Sequence, residues 1–246
     1  MSTSEFFDAI RNGNSAVIGE MLDREPELAS AKNDTGVSAI LMSAYTGRNE
    51  IRDLLIARGA LMELHDAAAV GDAGRVQELV QSNPSLAKSQ SPDGFPVVAL
   101  ASVFGHLDIV RYLVQKGADV NAAASNGSGY NALTGAVASG HTATVKWLLG
   151  NGANANYKYG LGYTPLLTAA ANGRLEILKL LVEHEADAQA VTNDGKTAVG
   201  LATERNHPEI LEYLRTVRWR IGACRTNLNT GLNKEIQHKE NKSQKQ

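Results

Sequence analysis

Cysteine is nearly absent from this chain: Cys224 is the single copy. One thiol excludes an internal disulfide framework and a thiolate zinc cluster, and it fits a reducing, cytoplasmic setting. The Asn-x-Ser/Thr triplets at Asn33, Asn126 and Asn241 then read as chance matches. No run of 18 apolar residues occurs, which excludes a transmembrane helix. The opening Met1-Ser2-Thr3-Ser4-Glu5-Phe6-Phe7 has no basic region followed by an apolar core, so no signal peptide is expected. Aromatics make up only 5% of the chain and there are six prolines, a balance that suits an alanine- and leucine-rich helical protein.

What the chain does have is repetition, which is the first thing to seek in such a composition. The stretch Thr164–Gly173 reads as one compact helix. Thr164 is placed to cap it, Pro165 suits the first helical position, and Gly173 supplies the left-handed residue that ends it. A second helix follows over Arg174–Glu183, with Ile177, Leu178, Leu180, Leu181 and Val182 covering more than half its surface. A hairpin this apolar needs copies of itself on both sides. With the terminating glycine as a ruler, copies end at Gly13, Gly47, Gly71, Gly105, Gly140 and Gly173, and Asn206 takes the same place in a seventh. The intervals are 34, 24, 34, 35, 33 and 33 residues.

These features resemble the ankyrin-repeat family over residues 4–216. The resemblance rests on the 33-residue period, Thr164-Pro165-Leu166, Asp194-Gly195-Lys196-Thr197, and the Gly105-His106 and Gly140-His141 pairs that join helices. It implies an all-α solenoid of paired antiparallel helices with short β-hairpin or loop fingers. Approximate repeats are 4–36, 37–60, 61–94, 95–128, 129–161, 162–194 and 195–216. The family's histidine four residues into helix one stands only at His65. Phe7, Leu41, Ala99, Thr134, Leu167 and Gly200 replace it elsewhere.

Taken in order, the first copy is an N-terminal cap opened by Ser4, with Phe6, Phe7 and Ile10 facing inward. The 24-residue interval lacks about nine residues, the size of one finger. Arg58-Gly59-Ala60 should therefore run almost directly into Leu61–His65, with no hairpin between residues 57 and 62. A second regularity points to an older duplication. Gly13, Pro26, Leu28, Gly36, Gly47, Ile51, Gly59 and Ala60 recur 58 residues later as Gly71, Pro84, Leu86, Gly94, Gly105, Ile109, Gly117 and Ala118. The longest interval holds two extra residues in the loop 122–130. After Thr216 the pattern stops. Residues 217–246 carry seven Lys/Arg against two Glu, a net +5 that leaves −7 on the rest of a chain of net −2. This basic, polar tail lacks the apolar mass to fold alone and is expected to be disordered, with Arg218-Trp219-Arg220-Ile221 extending or covering the last helix.

No catalytic or cofactor pattern holds. Gly127-x-Gly129-x-x-Ala132 has the outline of a dinucleotide loop without the surrounding βαβ unit. Gly195-Lys196-Thr197 ends like a phosphate loop, but the required first glycine is Ala190. The six histidines form no metal-ligand set, and Cys224 has no fixed histidine partner. No catalytic residue, metal or cofactor is assigned.

The expected function is a non-enzymatic protein-interaction module. By resemblance, the variable finger and helix-one positions line a concave surface. Copy by copy these are Tyr45 and Thr46; Pro92, Asp93, Phe95, Val103 and Phe104; Ser128, Tyr130 and Ser139; Tyr159, Leu161, Tyr163 and Asn172; and Asn193, Lys196, Glu204 and Arg205. Tyr157 joins the aromatic cluster. Rigid aromatics dominate binding hot spots, so the partner site is assigned to Tyr45, Phe95, Phe104, Tyr130, Tyr157, Tyr159, Leu161, Tyr163, Lys196 and Arg205. Phe6, Phe7, Tyr112, Trp147 and Tyr213 fall at core or helix-two positions. Truncating Tyr159 or Tyr163 is expected to weaken capture without changing the melting temperature. The chain is expected to be a monomer with a protein partner, no membrane and no nucleic acid. Other classes are a regulatory or inhibitory subunit or effector acting on a separate enzyme, a small-molecule enzyme, and a nucleic-acid binder working through the basic tail.

Overall fold

A computed structural model describes residues 2–216. The basic tail, with Cys224 and Arg218–Ile221, lies outside the described residues. The first helix, α1 (Thr3–Asn12), starts two residues earlier than expected: the cap is Ser2, not Ser4. Ser2 accepts from the Glu5 amide at 3.2 Å, and the Glu5 carboxylate accepts from the Ser2 amide at 2.9 Å. Two orphan donors are satisfied reciprocally, and the glutamate at the third position decides where the helix begins.

Twelve further helices follow in antiparallel pairs: α2 (Ser15–Arg24), α3 (Ala39–Tyr45), α4 (Asn49–Ala57), α5 (Leu64–Val70), α6 (Ala73–Ser82), α7 (Val97–Val103), α8 (Leu107–Gln115), α9 (Ala132–Ser139), α10 (Thr142–Gly150), α11 (Pro165–Ala171), α12 (Leu175–Glu183) and α13 (Ala198–Glu204). Residues 208–216 are helical and pair with α13. Each odd-numbered helix packs on the next, from α1 through α13, so the first members of the pairs form one layer. The described residues contain isolated β-bridges and no extended strand. The fold is the all-α solenoid expected from the period.

Sequence punctuation acts as read at its best-preserved copy. Thr164 accepts from the Leu167 amide, Pro165 opens α11, and Gly173 has φ +65°. Asn206 holds φ +56° in the seventh copy, a conformation asparagine tolerates better than most residues. The duplicated unit is visible too. Matching 3-10 turns, Pro26–Ser30 and Pro84–Lys88, follow α2 and α6.

Fingers closed by a bridge lie at Lys32–Ser38, Gln90–Pro96, Tyr159–Tyr163 and Val191–Thr197. The loop 122–130 closes instead through the Ala124 amide on the Tyr130 carbonyl at 2.7 Å. Between α4 and α5 there is no bridge, and six residues make the whole connection. The finger expected to be missing there is missing. Its neighbours close up: a Cβ added to Gly36 would lie 3.1 Å from Pro92 Cβ, so the flanking fingers abut.

The later junctions share a device. His106, His141 and His207, each following a helix-one glycine, place Nε2 within 3.1, 2.9 and 3.2 Å of the carbonyls of Ala69, Val103 and Ala171 in the preceding pair. Arg48 does the same with its guanidinium on Arg11 O at 2.9 Å. These groups satisfy carbonyls that a helix end leaves orphaned. They also explain why the marker is glycine. A Cβ on Gly71, Gly105 or Gly173 would sit 2.5–2.6 Å from the imidazole lying over it, quite apart from the positive φ.

Candidate functional site

The expected site residues fall into two groups with different environments. In the first, Tyr45 at the end of α3 meets Phe95 and Phe104, which flank α7. The centroid distances are 6.4 and 6.3 Å, the first edge-on at 62° and the second stacked at 20°. α5 stands between α3 and α7 in the helix layer. It presents Ala69 there, and Ala69 joins Val37, Leu41 and Leu100 in a small buried cluster with Phe95 and Phe104 packed against it. Small residues on α5, with no finger ahead of it, let aromatics two pairs apart meet across it.

Beside them is a depression of about 360 Å³ lined by Tyr45, Asp93, Phe95, Leu100, Val103 and Tyr130. Tyr45 and Tyr130 are 37% and 36% exposed, so the rings form walls open to solvent. Desolvation pushes the Tyr45 phenol well above its ordinary range, and the charge of Asp93 and its hydrogen bond to the phenol add to this. Asp93 also accepts from Ser91 Oγ at 2.5 Å. Among the described residues no Lys, Arg or His pairs with Asp93 within 4 Å.

The second group closes on itself. Tyr159 is only 8% exposed, and its hydroxyl bonds Thr168 Oγ1. Burial raises its pKa to about 12, against the opposing effect of the Thr168 hydrogen bond. Tyr157 stacks on it at 6.5 Å, and Tyr130 lies at 5.1 Å. Tyr163 is half-buried against the main core. A buried ring cannot be removed silently. The structure therefore corrects the expectation that truncating Tyr159 leaves the melting temperature unchanged. Leu161 stands 73% exposed at the finger tip, whose carbonyl takes the Asn193 amide at 2.9 Å. Lys196 is bound to Glu204 at 2.9 Å, and that carboxylate raises its pKa. Arg205 is exposed just beyond α13. Lys196 lies near enough to Tyr163 to feel its phenol, though its own bond is to Glu204. Leu100, the floor of the depression, was not among the expected residues. Its apolar position in helix one reads as core, and at 2% exposure it is core, lying beneath the rings that line the depression.

Other polar groups are structural. Asp66 is 2% exposed and accepts from Ser38 Oγ at 2.5 Å and from the Glu63 amide at 2.8 Å; burial raises its pKa. His65, at the family's histidine position, lies 3.1 Å from Ser89 Oγ, and burial lowers its pKa. Among the described residues no group of three His, Cys, Asp or Glu is placed to hold a metal, and no helix is long and apolar enough to cross a membrane.

Comparison with known proteins gives a consistent picture. The family model described as "Ankyrin repeats (3 copies)" matches residues 64–159 and 136–221, together more than half of the chain. "Ankyrin repeat and SAM domain-containing protein 6" of Rattus norvegicus is 31% identical over 123 residues, 50% of this chain and 11% of that protein. "Probable E3 ubiquitin-protein ligase XBOS33" of Oryza sativa subsp. japonica is 40% identical over 87 residues, 35% of this chain and 16% of its own length. "DNA-binding protein RFXANK" of Homo sapiens is 28% identical over 103 residues, 41% of this chain and 39% of its own length. The chain spans about a tenth of the length of the first of these relatives.

Proposed function

This chain belongs to the ankyrin-repeat family, and from that premise we propose that it is a non-enzymatic module binding a partner protein through the finger side of its helix-one layer. The repeats of this family are generally protein-interaction modules. The names of its relatives differ too much in activity to transfer any of them. The observation that carries the reading is the open, aromatic-walled depression between Tyr45 and Tyr130. Exposed aromatics on rigid helices bind with little loss of entropy, and such pockets anchor hot spots. A stable complex would bury roughly 800 Å² on each side, with the depression at its centre. Within this reading the binding domain is residues 4–216, and the setting is a reducing compartment.

The test uses the full chain. Random twelve-residue peptides displayed on phage are selected against it, and the affinities of the recovered peptides are measured by fluorescence polarisation. Phe104→Ala and Tyr45→Ala should each weaken the selected peptides by about tenfold or more, the scale of a hot-spot residue. Circular dichroism should stay unchanged. Peptides that bind both variants as well as the parent would overturn the proposal.

A further inference from the structure

We infer that the depression beside Tyr45 takes one arginine side chain from the bound partner, with the guanidinium face on the rings and its edge toward Asp93. This rests on the proposed docking reading and names what that site recognises. Three observations converge on it.

The first is charge. The aromatic faces carry the negative side of their quadrupoles, and Asp93 lines the same depression. Asp66 adds to the negative field felt at Tyr45. Lys32 is engaged with Glu63 at 2.6 Å, and Asp93 has no ion-pair partner among the described residues. A carboxylate accepts about four hydrogen bonds. Ser91 and Tyr45 use part of that capacity, and no cation lines the depression.

The second is size. A volume of about 360 Å³ holds one long side chain, not a folded element.

The third is chemistry. Apart from Asp93 and the tyrosine hydroxyls, the lining offers almost no hydrogen-bond partners. A lysine ammonium is strongly hydrated and would lose that water against rings and a single carboxylate. A guanidinium is weakly hydrated, planar and delocalised; it stacks on aromatic faces while its N–H groups point at a carboxylate in its plane. Tyr45, the edge-on Phe95 and Tyr130 line the depression, and Phe104 holds Tyr45 in place by stacking on it.

Asp194 provides an internal control. It occupies the same turn position in a later finger and accepts from Thr192 as Asp93 does from Ser91, but it does not line this depression.

The experiment titrates the isotope-labelled full chain with four probes and follows backbone amide shifts. The probes are the N-acetyl methylamides of arginine, citrulline, trimethyl-lysine and leucine. Arginine should give saturable shifts centred on Asp93, Phe95, Phe104 and Tyr130. Citrulline, the same shape without charge, should bind about tenfold more weakly or worse, the ordinary scale for losing a charged contact. Asp93→Asn should bring arginine down to the level of citrulline, while Asp194→Asn leaves it unchanged. Thermal melts of both variants should match the parent, because asparagine still accepts in the turn. Equal binding by citrulline or leucine, tighter binding by trimethyl-lysine, or no shifts with arginine would each overturn the inference. In those cases the docking proposal still stands if the selected peptides remain sensitive to Phe104→Ala. If the peptides ignore that substitution, the docking proposal falls on its own evidence.

Discussion

The junction between the second and third helix pairs is built differently from every junction after it. From the third pair onward, one continuous buried cluster runs from Leu64 to Leu214. There, fingers are stitched by backbone bonds such as Ser125 N to Gly94 O at 2.9 Å, and histidines reach back over glycines to the preceding helix. The first two pairs have a separate cluster, from Phe6 to Leu55, and Met62 packs against both. Across this seam the small cluster of Val37, Leu41, Ala69 and Leu100 supplies the buried apolar contact, and polar contacts add to it: Ser38 on Asp66, Lys32 on Glu63, and the Leu61 amide on Ser30 Oγ at 2.8 Å. The residue at the histidine position is Asp72. It caps α6 through the Arg75 amide at 2.8 Å, and a Cβ on Gly47 would meet nothing within 4 Å. The difference teaches what a finger does. Where it is present, aromatics are used up in holding neighbours together, as Tyr159 is. Where it is absent, Tyr45, Phe95 and Phe104 remain open to a ligand.

The largest effect should come from testing those two fates directly. Tyr159→Ala removes a buried ring and is expected to cost about 3–5 kcal/mol, against roughly 1 kcal/mol for the more exposed Tyr45→Ala, both read by urea unfolding. Equal costs would erase the distinction between the two aromatic groups. Next, His141→Ala should destabilise by about 2 kcal/mol, because it leaves the Val103 carbonyl without its partner. Asp72→Ala, losing only a helix cap, should cost about 1 kcal/mol. A reversed order would show that the histidine contacts do not strengthen the later junctions.

A smaller change is expected at Asn131, which caps α9 but leaves Nδ2 buried without a hydrogen-bond partner among the described residues. Asn131→Thr, the residue at Thr164 and Thr197, should stabilise by about 1 kcal/mol. An unchanged urea midpoint would argue against it.

The smallest effect is a pH slope at the polar seam. Burial holds the His65 pKa below 6.5, partly offset by Glu63 and Asp93. A depressed folded value means that the neutral ring contributes stability above about pH 6.5, lost as pH falls through the folded pKa. Stability should therefore decline on mild acidification, and His65→Gln should flatten the decline. A slope unaffected by the substitution would place the titration elsewhere.

The architecture was legible because its punctuation is stereochemical: Gly13, Gly71 and Gly140 end helices at positive φ. A 24-residue interval could mean only a lost finger. The site was legible in composition but not in direction. A tyrosine in a finger can turn out or in, and Tyr159 turns in because Thr168, nine residues on, takes its hydroxyl. Leu100 lines the depression yet is only 2% exposed, so the reading of its apolar helix position as core holds. The cap at Ser2 was missed because Ser4 is an equally good capping type. The reciprocal bond from Glu5 decided between them.

The pair of separate buried clusters has a mechanical consequence. Pulled from its ends, a stack of repeats yields where neighbouring units share the least apolar surface. In this molecule the two large clusters part at the seam around residues 58–63, bridged by the small cluster of Val37, Leu41, Ala69 and Leu100, so the first rupture is expected there and should release the leading two pairs as one block. The loss of one finger would thus set both where the proposed docking depression opens and where the molecule gives way under load.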